Sequence, residues 1–136
     1  MLITTIPFGD KDRLPLDLLE SAGIEYQINP FNKKLTEDQL SEIIPDFEAL
    51  IAGTEPITEK VLNRAANLKL ISRVGIGLDN VDLIEAQNRD IKVSYTPDAP
   101  SLAVAELAIG FMLNLLRSVH VSNAQMHQGN WHRFFK

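Results

Sequence analysis

Two glycine-bearing turns that follow apolar runs could bind a small anion, such as a carboxylate, through main-chain N–H groups. An apolar run over residues 70–74 leads into Gly75 and Gly77, and Gly53 ends a second apolar run. Glycine lets the backbone approach an anion closely. The candidate substrate-binding residues are Gly53, Thr54, Val74, Gly75 and Ile76. On spacing alone, the alternative that these glycines only permit tight turns is equally open.

Gly75 and Gly77 also make an incomplete match to the dinucleotide-binding motif G-x-G-x-x-G. Asn80 stands in place of the third glycine, and the helix that follows is predicted to begin only near Asp82. In that motif the phosphates lie on the N-terminus of a helix that follows the strand directly. A carboxylate-binding turn therefore fits this stretch better than a nucleotide site.

The polar residues around this turn favour structural roles. Asp79, Asn80 and Asp82 are typical of Asx-turns and helix N-caps. Arg73 alternates with Val74 along the predicted strand, so its side chain is expected on the other face of the sheet, in a structural pairing.

The histidines do not form a metal motif. His120, His127 and His132 lack the carboxylate or the i, i+4 partner of a zinc site, so we expect surface or interface positions and no metal. The aromatic tail, residues 129–136, is expected to pack against a neighbouring domain.

Composition argues against several classes of protein. The 136 residues carry a net charge of −5 without a run of Lys or Arg, which argues against nucleic-acid binding. None is a cysteine, which fits a reducing cytoplasm as the expected location.

The N-terminus lacks the basic region of a signal peptide. The longest apolar run, residues 102–116, contains Glu106 and Asn114 and is shorter than the ~20 residues of a membrane span, so no membrane partner is expected.

Strand-like and helix-like segments alternate along the first hundred residues. Strands are predicted at residues 2–6, 25–29, 49–52, 70–74 and 91–96, and helices at 13–22, 36–44, 58–66 and 82–88. Thr36 and Gln39 are predicted to form a capping box, and Thr58 and Asp82 to be N-caps. This alternation predicts an α/β fold with a flavodoxin-like parallel five-stranded sheet of order 2-1-3-4-5 and helices on both faces. Ligands of such sheets bind at the carboxyl ends of the strands, where both glycine turns fall.

Residues 101–128 are predicted to form one long C-terminal helix, apolar on nearly all sides over residues 102–116. A helix that is apolar on all sides is normally buried on all sides, and a five-stranded sheet covers only one of its faces. We therefore expect a second domain or a second copy of the chain to cover residues 102–116, with a homodimer as the simplest arrangement.

Several stretches resemble the D-isomer-specific 2-hydroxyacid dehydrogenases, particularly their phosphoglycerate-dehydrogenase-like branch. The sequence Ser-Arg-Val-Gly-Ile-Gly-Leu-Asp-Asn-Val-Asp at 72–82 resembles the carboxylate-binding turn, and residues 51–58 resemble the substrate loop. Thr96-Pro97 followed by Val104-Ala105-Glu106 resembles the crossing into the cofactor domain, and Gly129-Asn130-Trp131 resembles the end of its first helix.

The resemblance implies a two-domain enzyme in which NAD exchanges a hydride with a small 2-hydroxy or 2-keto acid. It assigns residues 1–100 to the N-terminal part of the substrate-binding domain and residues 101–136 to a linker helix that leads into the nucleotide-binding domain. Pro100 and Val104 are the candidate cofactor contacts. The family's catalytic arginine, glutamate and histidine are expected after Lys136, so the chain is interpreted as a fragment, inactive and without cofactor by itself.

The loop at residues 52–54, after the third predicted strand, gives an indication of the substrate. Family members that act on phosphoglycerate tend to carry an arginine there, whereas residues 52–54 hold no cation, which argues against a phosphorylated substrate. Two alternatives to an enzyme fragment are a stand-alone flavodoxin-like interaction module that dimerises through the long helix and a receiver-like signalling domain. A receiver needs a phosphoacceptor aspartate at the end of the third strand, where this sequence has Ala52 and Gly53.

Overall fold

The computed structural model describes residues 1–131 and contains a parallel sheet of five strands. The strands are β1 (Leu2–Ile3), β2 (Gln27–Ile28), β3 (Ala49–Ala52), β4 (Leu70–Arg73) and β5 (Lys92–Tyr95). Their order is β2-β1-β3-β4-β5, with every neighbouring pair parallel, which confirms the predicted α/β topology. The predictions made for His132 and the tail residues that follow it lie outside the described residues.

Helices connect the strands, as the alternation predicts. They are α1 (Leu14–Ser21), α2 (Glu37–Ile43), α3 (Glu59–Arg64) and α4 (Leu83–Asn88), with a 3₁₀ turn, Ile44–Asp46, after α2. The core contains fully buried side chains from strands and helices, among them Leu2, Leu40, Leu50, Val61 and Ile71. Because β3 and β4 bury every second residue, their hydrophobic sides fix the register in which their carboxyl ends meet.

The N-termini of α2, α3 and α4 can be compared with the predicted capping residues. The capping box is confirmed, since the Thr36 hydroxyl accepts the Gln39 N–H at 3.3 Å and Gln39 Oε1 accepts the Thr36 N–H at 3.1 Å. Asp82 Oδ1 accepts the Glu85 N–H at 2.9 Å and caps α4 as predicted. Thr58 occupies the N-cap position of α3 without a side-chain capping bond, because its hydroxyl donates instead to the carboxylate of Glu37 on α2.

The chain divides into two compact units, Met1–Pro97 and Asp98–Lys136. The second unit corrects the expectation of one helix over residues 101–128, because it contains α5 (Ser101–Arg117) and α6 (Val119–His127). Ser118, between them, has a left-handed conformation with φ of 51°, and its N–H bonds to the last carbonyls of α5. The directions of α5 and α6 differ by 65° at this break.

The apolar side chains of α5 are exposed in the described residues. Leu102, Phe111 and Leu115 are 72%, 59% and 66% exposed. Among residues 1–131 no single helix is long and apolar enough to span a membrane, whereas α5 and α6 taken together reach that length and composition as a bent pair.

Candidate functional site

The carboxyl ends of β3 and β4 lie side by side, because Ala52 pairs with Arg73 in the parallel register. Gly53 and Val74 are therefore the first residues beyond neighbouring strands. A cavity of about 140 Å³ lies at this edge, lined by residues 4–6, residues 53–55, Val74 and Lys34. Thus three of the five predicted substrate-binding residues, Gly53, Thr54 and Val74, line one cavity.

Hydrogen bonds within the chain decide which main-chain N–H groups at this edge are available to a ligand. Three are already engaged: Gly53 N donates to Glu55 Oε1 at 2.9 Å, Val74 N to the Ala52 carbonyl at 2.9 Å, and Gly75 N to the Thr96 hydroxyl at 2.8 Å. Within residues 1–131 the N–H groups of Thr54 and Ile76 make no hydrogen bond. The five-residue assignment stays a prediction, and Thr54 and Ile76 are its members with a free donor.

Gly75 has a conformation that other residues rarely adopt. Its φ is +144°, and a Cβ at this position would lie 2.5 Å from Nη1 of Arg73. The guanidinium of Arg73 cannot easily move away, since Nε donates to Asn80 Oδ1 at 3.2 Å and Nη1 donates to the Val74 carbonyl. Glycine is therefore required here for the backbone to pass over the arginine.

Arg73 has the structural role predicted from its position in the strand. The residue is 7% exposed and lies on the same side of β4 as Ile71, which alternation requires. Its partner Asn80, predicted from the sequence as a turn residue, also makes hydrogen bonds to another loop. The Asn80 side-chain amide donates to the carbonyls of Gly53 at 3.3 Å and Glu55 at 2.7 Å. Arg73 and Asn80 thus connect the loop after β4 to the loop after β3.

Glu55 is a buried acid that sequence reasoning does not single out. It is 2% exposed, and its Oε1 accepts hydrogen bonds from the Thr4 hydroxyl and the Gly53 N–H. The only sequence signal is its position, between the strand-ending Gly53 and the buried Ile57. Whether such an acid is buried depends on β1, which supplies Thr4.

The other predicted site residues belong to the second unit. Pro100 precedes the first residue of α5, and its carbonyl accepts the N–H of Val104, which is 61% exposed. Their assignment as cofactor contacts stays a prediction. His120 and His127 are exposed as expected, and His120 Nδ1 lies 3.1 Å from Asn114 Oδ1. In the described part of the chain no three His, Asp or Glu side chains converge as metal ligands would.

A larger cavity, of about 720 Å³, lies between α2 and α3, away from the strand ends. Two of its lining charges are paired across the helices: Lys60 Nζ on α3 hydrogen-bonds to Asp38 on α2, and it also lies 3.6 Å from Oε2 of Glu37. The hydrogen bond to Asp38 and its negative charge raise the pKa of Lys60. These pairs hold the two helices together, so we place the functional site at the smaller cavity.

Comparison with known proteins identifies the family. Residues 9–131 match the family model described as "D-isomer specific 2-hydroxyacid dehydrogenase, catalytic domain". The chain belongs to the D-isomer specific 2-hydroxyacid dehydrogenase family. This result gives no support to a stand-alone interaction module or to a signalling receiver.

The curated relatives of this chain include two enzymes with different names. The chain is 37% identical over 103 residues to the hydroxypyruvate reductase of Thermotoga maritima, covering 75% of this chain and 34% of the relative. It is 40% identical over 101 residues to the D-3-phosphoglycerate dehydrogenase of Methanocaldococcus jannaschii, covering 73% of this chain and 19% of the relative. The chain therefore spans about a third or less of the length of these relatives.

A solved structure of the family has the same fold. The NAD⁺-bound 3-phosphoglycerate dehydrogenase of Entamoeba histolytica superposes with a TM-score of 0.75 at 28% identity, over 85% of this chain and 39% of that one. This 3-phosphoglycerate dehydrogenase thus shares the fold that carries the sheet edge with Gly53 and Gly75.

Proposed function

We propose that this chain is the substrate-binding part of an NAD-dependent oxidoreductase that acts on the CH–OH group of a D-2-hydroxy acid. The observation that carries the proposal is the pair of free N–H groups, those of Thr54 and Ile76, on the loops that follow adjacent parallel strands. Carboxylate oxygens accept such bonds strongly because the acceptor is charged. The substrate is a small 2-hydroxy or 2-keto acid whose carboxylate binds there.

These residues position the acid and take no part in bond making. Arg73 and Asn80 hold the two loops at a fixed spacing, and Gly75 lets the backbone turn toward the ligand. Fixing the carboxylate fixes the direction in which C2 presents its hydrogen, which is the contribution of a positioning site to catalysis.

NAD supplies the hydride acceptor in the complete enzyme, as the NAD⁺-bound relative supports. The turn at Gly75 and Gly77 does not fit the pyrophosphate, because α4 begins only at Leu83 and the carboxylate of Asp82 caps its first turn by accepting from the Glu85 N–H. A bound phosphate would meet this negative charge. Candidate contacts to the cofactor are instead Pro100 and Val104.

The proposal includes a homodimer in the cytoplasm. The dimer is supported by the exposed apolar side chains of α5, which a second copy would bury. The location is supported by the absence of cysteine from all 136 residues.

The carboxylate site is tested on the ¹⁵N-labelled chain titrated with D-lactate at constant ionic strength. We expect the amide resonances of Thr54 and Ile76 to shift with a common dissociation constant. Ile76→Pro, which lacks the N–H, should weaken binding at least about tenfold, since a bond to a charged group is lost. Ile76→Ala keeps the N–H and should bind as the unmodified chain does. Shifts confined to α5, or equal binding by both variants, would contradict the proposal.

A further inference from the structure

Glu55 lines the cavity at the strand ends and is hydrogen-bonded there. It is 2% exposed, and one of its two oxygens, Oε1, accepts from both the Thr4 hydroxyl and the Gly53 N–H. The main-chain carbonyl of the same residue accepts from Asn80 at 2.7 Å. Neighbouring parts of the chain therefore contact both the side chain and the backbone of Glu55.

The second oxygen, Oε2, makes no hydrogen bond with residues 1–131. It is also not sealed from solvent, because no buried side-chain nitrogen or oxygen among the described residues lacks a partner. Since Glu55 lines the cavity, the free oxygen is available there to a ligand. A carboxylate oxygen in a buried setting gains most from a ligand group that donates a hydrogen bond.

We propose that Glu55 sets the substrate specificity of this site by accepting a hydrogen bond from a hydroxyl group on C3 of the acid. The inference rests on the proposed function, which places the substrate carboxylate at Thr54 and Ile76. The preferred class is then a 2-hydroxy or 2-keto acid with an uncharged hydroxymethyl group, as in D-glycerate. D-lactate differs from D-glycerate only by lacking this hydroxyl.

Charge disfavours a phosphate at C3. In the cavity of about 140 Å³, a phosphate would bring a second anion close to the Glu55 carboxylate. One cation, Lys34, does line the same cavity, from the loop before α2. Lys34 is exposed and forms no ion pair in the described residues, so solvent and salt screen its attraction, whereas Glu55 is buried.

The test compares D-glycerate, D-lactate and 3-phospho-D-glycerate as ligands of the ¹⁵N-labelled chain, with the Ile76 amide shift as the readout. We expect D-glycerate to bind about 10- to 100-fold more tightly than D-lactate, the range for a hydrogen bond to a charged group. In Glu55→Gln, whose amide oxygen can still accept from Thr4 and Gly53, this preference should fall by about tenfold. Glu59→Gln, the same change on exposed α3, should leave it unaltered.

Two lysine variants separate the acid from the cation. Lys34→Met should change neither the order of the ligands nor the glycerate preference, and Lys33→Met is its matched control outside the cavity. Tightest binding of 3-phospho-D-glycerate, lost in Lys34→Met alone, would overturn the inference and make the lysine the specificity residue. Equal binding of D-glycerate and D-lactate would overturn it as well, while leaving the carboxylate site intact. If none of the acids shifts the Ile76 resonance, the proposed function itself fails.

Discussion

The side-chain amide of Asn80 donates a hydrogen bond of 2.7 Å to the main-chain carbonyl of Glu55, 25 residues earlier in the chain. The same amide reaches the Gly53 carbonyl at 3.3 Å, and its oxygen accepts from Arg73 Nε. One side chain thus joins the loops that follow β3 and β4, and these are the loops that carry the candidate donors Thr54 and Ile76.

Removing this link should destabilise the protein and loosen the site. We expect Asn80→Ala to lower the free energy of unfolding by about 2 kcal/mol, because several partly buried hydrogen bonds are lost together. Urea unfolding followed by circular dichroism measures the change. Asn88→Ala is the control, since Asn88 is exposed on α4 and makes a single bond, to Glu85 at 3.4 Å. Equal stability of the two variants would show that Asn80 does not hold the loops.

Gly75→Ala and Gly110→Ala should change stability in opposite directions. At Gly75 an added Cβ meets the buried guanidinium of Arg73 at 2.5 Å and φ is +144°, so we expect a loss of about 1–3 kcal/mol. At Gly110, in α5, a Cβ meets nothing within 4 Å, and alanine should stabilise the helix by about 0.5–1 kcal/mol. Thermal unfolding of both variants gives the comparison. A neutral Gly75→Ala would mean that Arg73 moves freely.

The Gly75 turn should not bind the cofactor. Titration of the labelled chain with NAD is expected to leave the amide resonances of Gly75, Gly77 and Asn80 in place, because the carboxylate of Asp82 occupies the start of α4. D-lactate, which shifts Ile76 under the proposed function, is the positive control. Calorimetric binding of NAD at micromolar concentration, with shifts at Gly75, would instead make the turn a nucleotide site.

Self-association is expected to depend on α5. Leu102, Phe111 and Leu115 are each more than half exposed, and burying such a side chain contributes about 1.5–3 kcal/mol. The double variant Phe111→Glu, Leu115→Glu should sediment as a monomer at a concentration where the unmodified chain is a dimer. Leu18→Glu, on α1, changes an equally exposed leucine and should leave the dimer intact. A monomeric unmodified chain would refute the prediction.

Local patterns in the sequence determined the elements and their order. The capping box of Thr36 and Gln39 and the cap of Asp82 involve residues three apart, so they are visible in the sequence and form as predicted. Alternating apolar strands and helices leave few right-handed topologies, and the observed sheet is the predicted one. The sequence does not indicate the helix break at Ser118, because no glycine or proline marks it.

Only the tertiary structure decided which groups at the strand ends are free. The N–H of Gly75 is engaged by Thr96, 21 residues later, and the acid of Glu55 is held by Thr4, 51 residues earlier. Lys34 enters the cavity from a loop that the sequence does not connect with it. Such partners are brought together by the register of parallel strands, which depends on the burial of whole hydrophobic faces. The glycine turns were therefore readable from the sequence, whereas their free donors and the buried acid beside them were not.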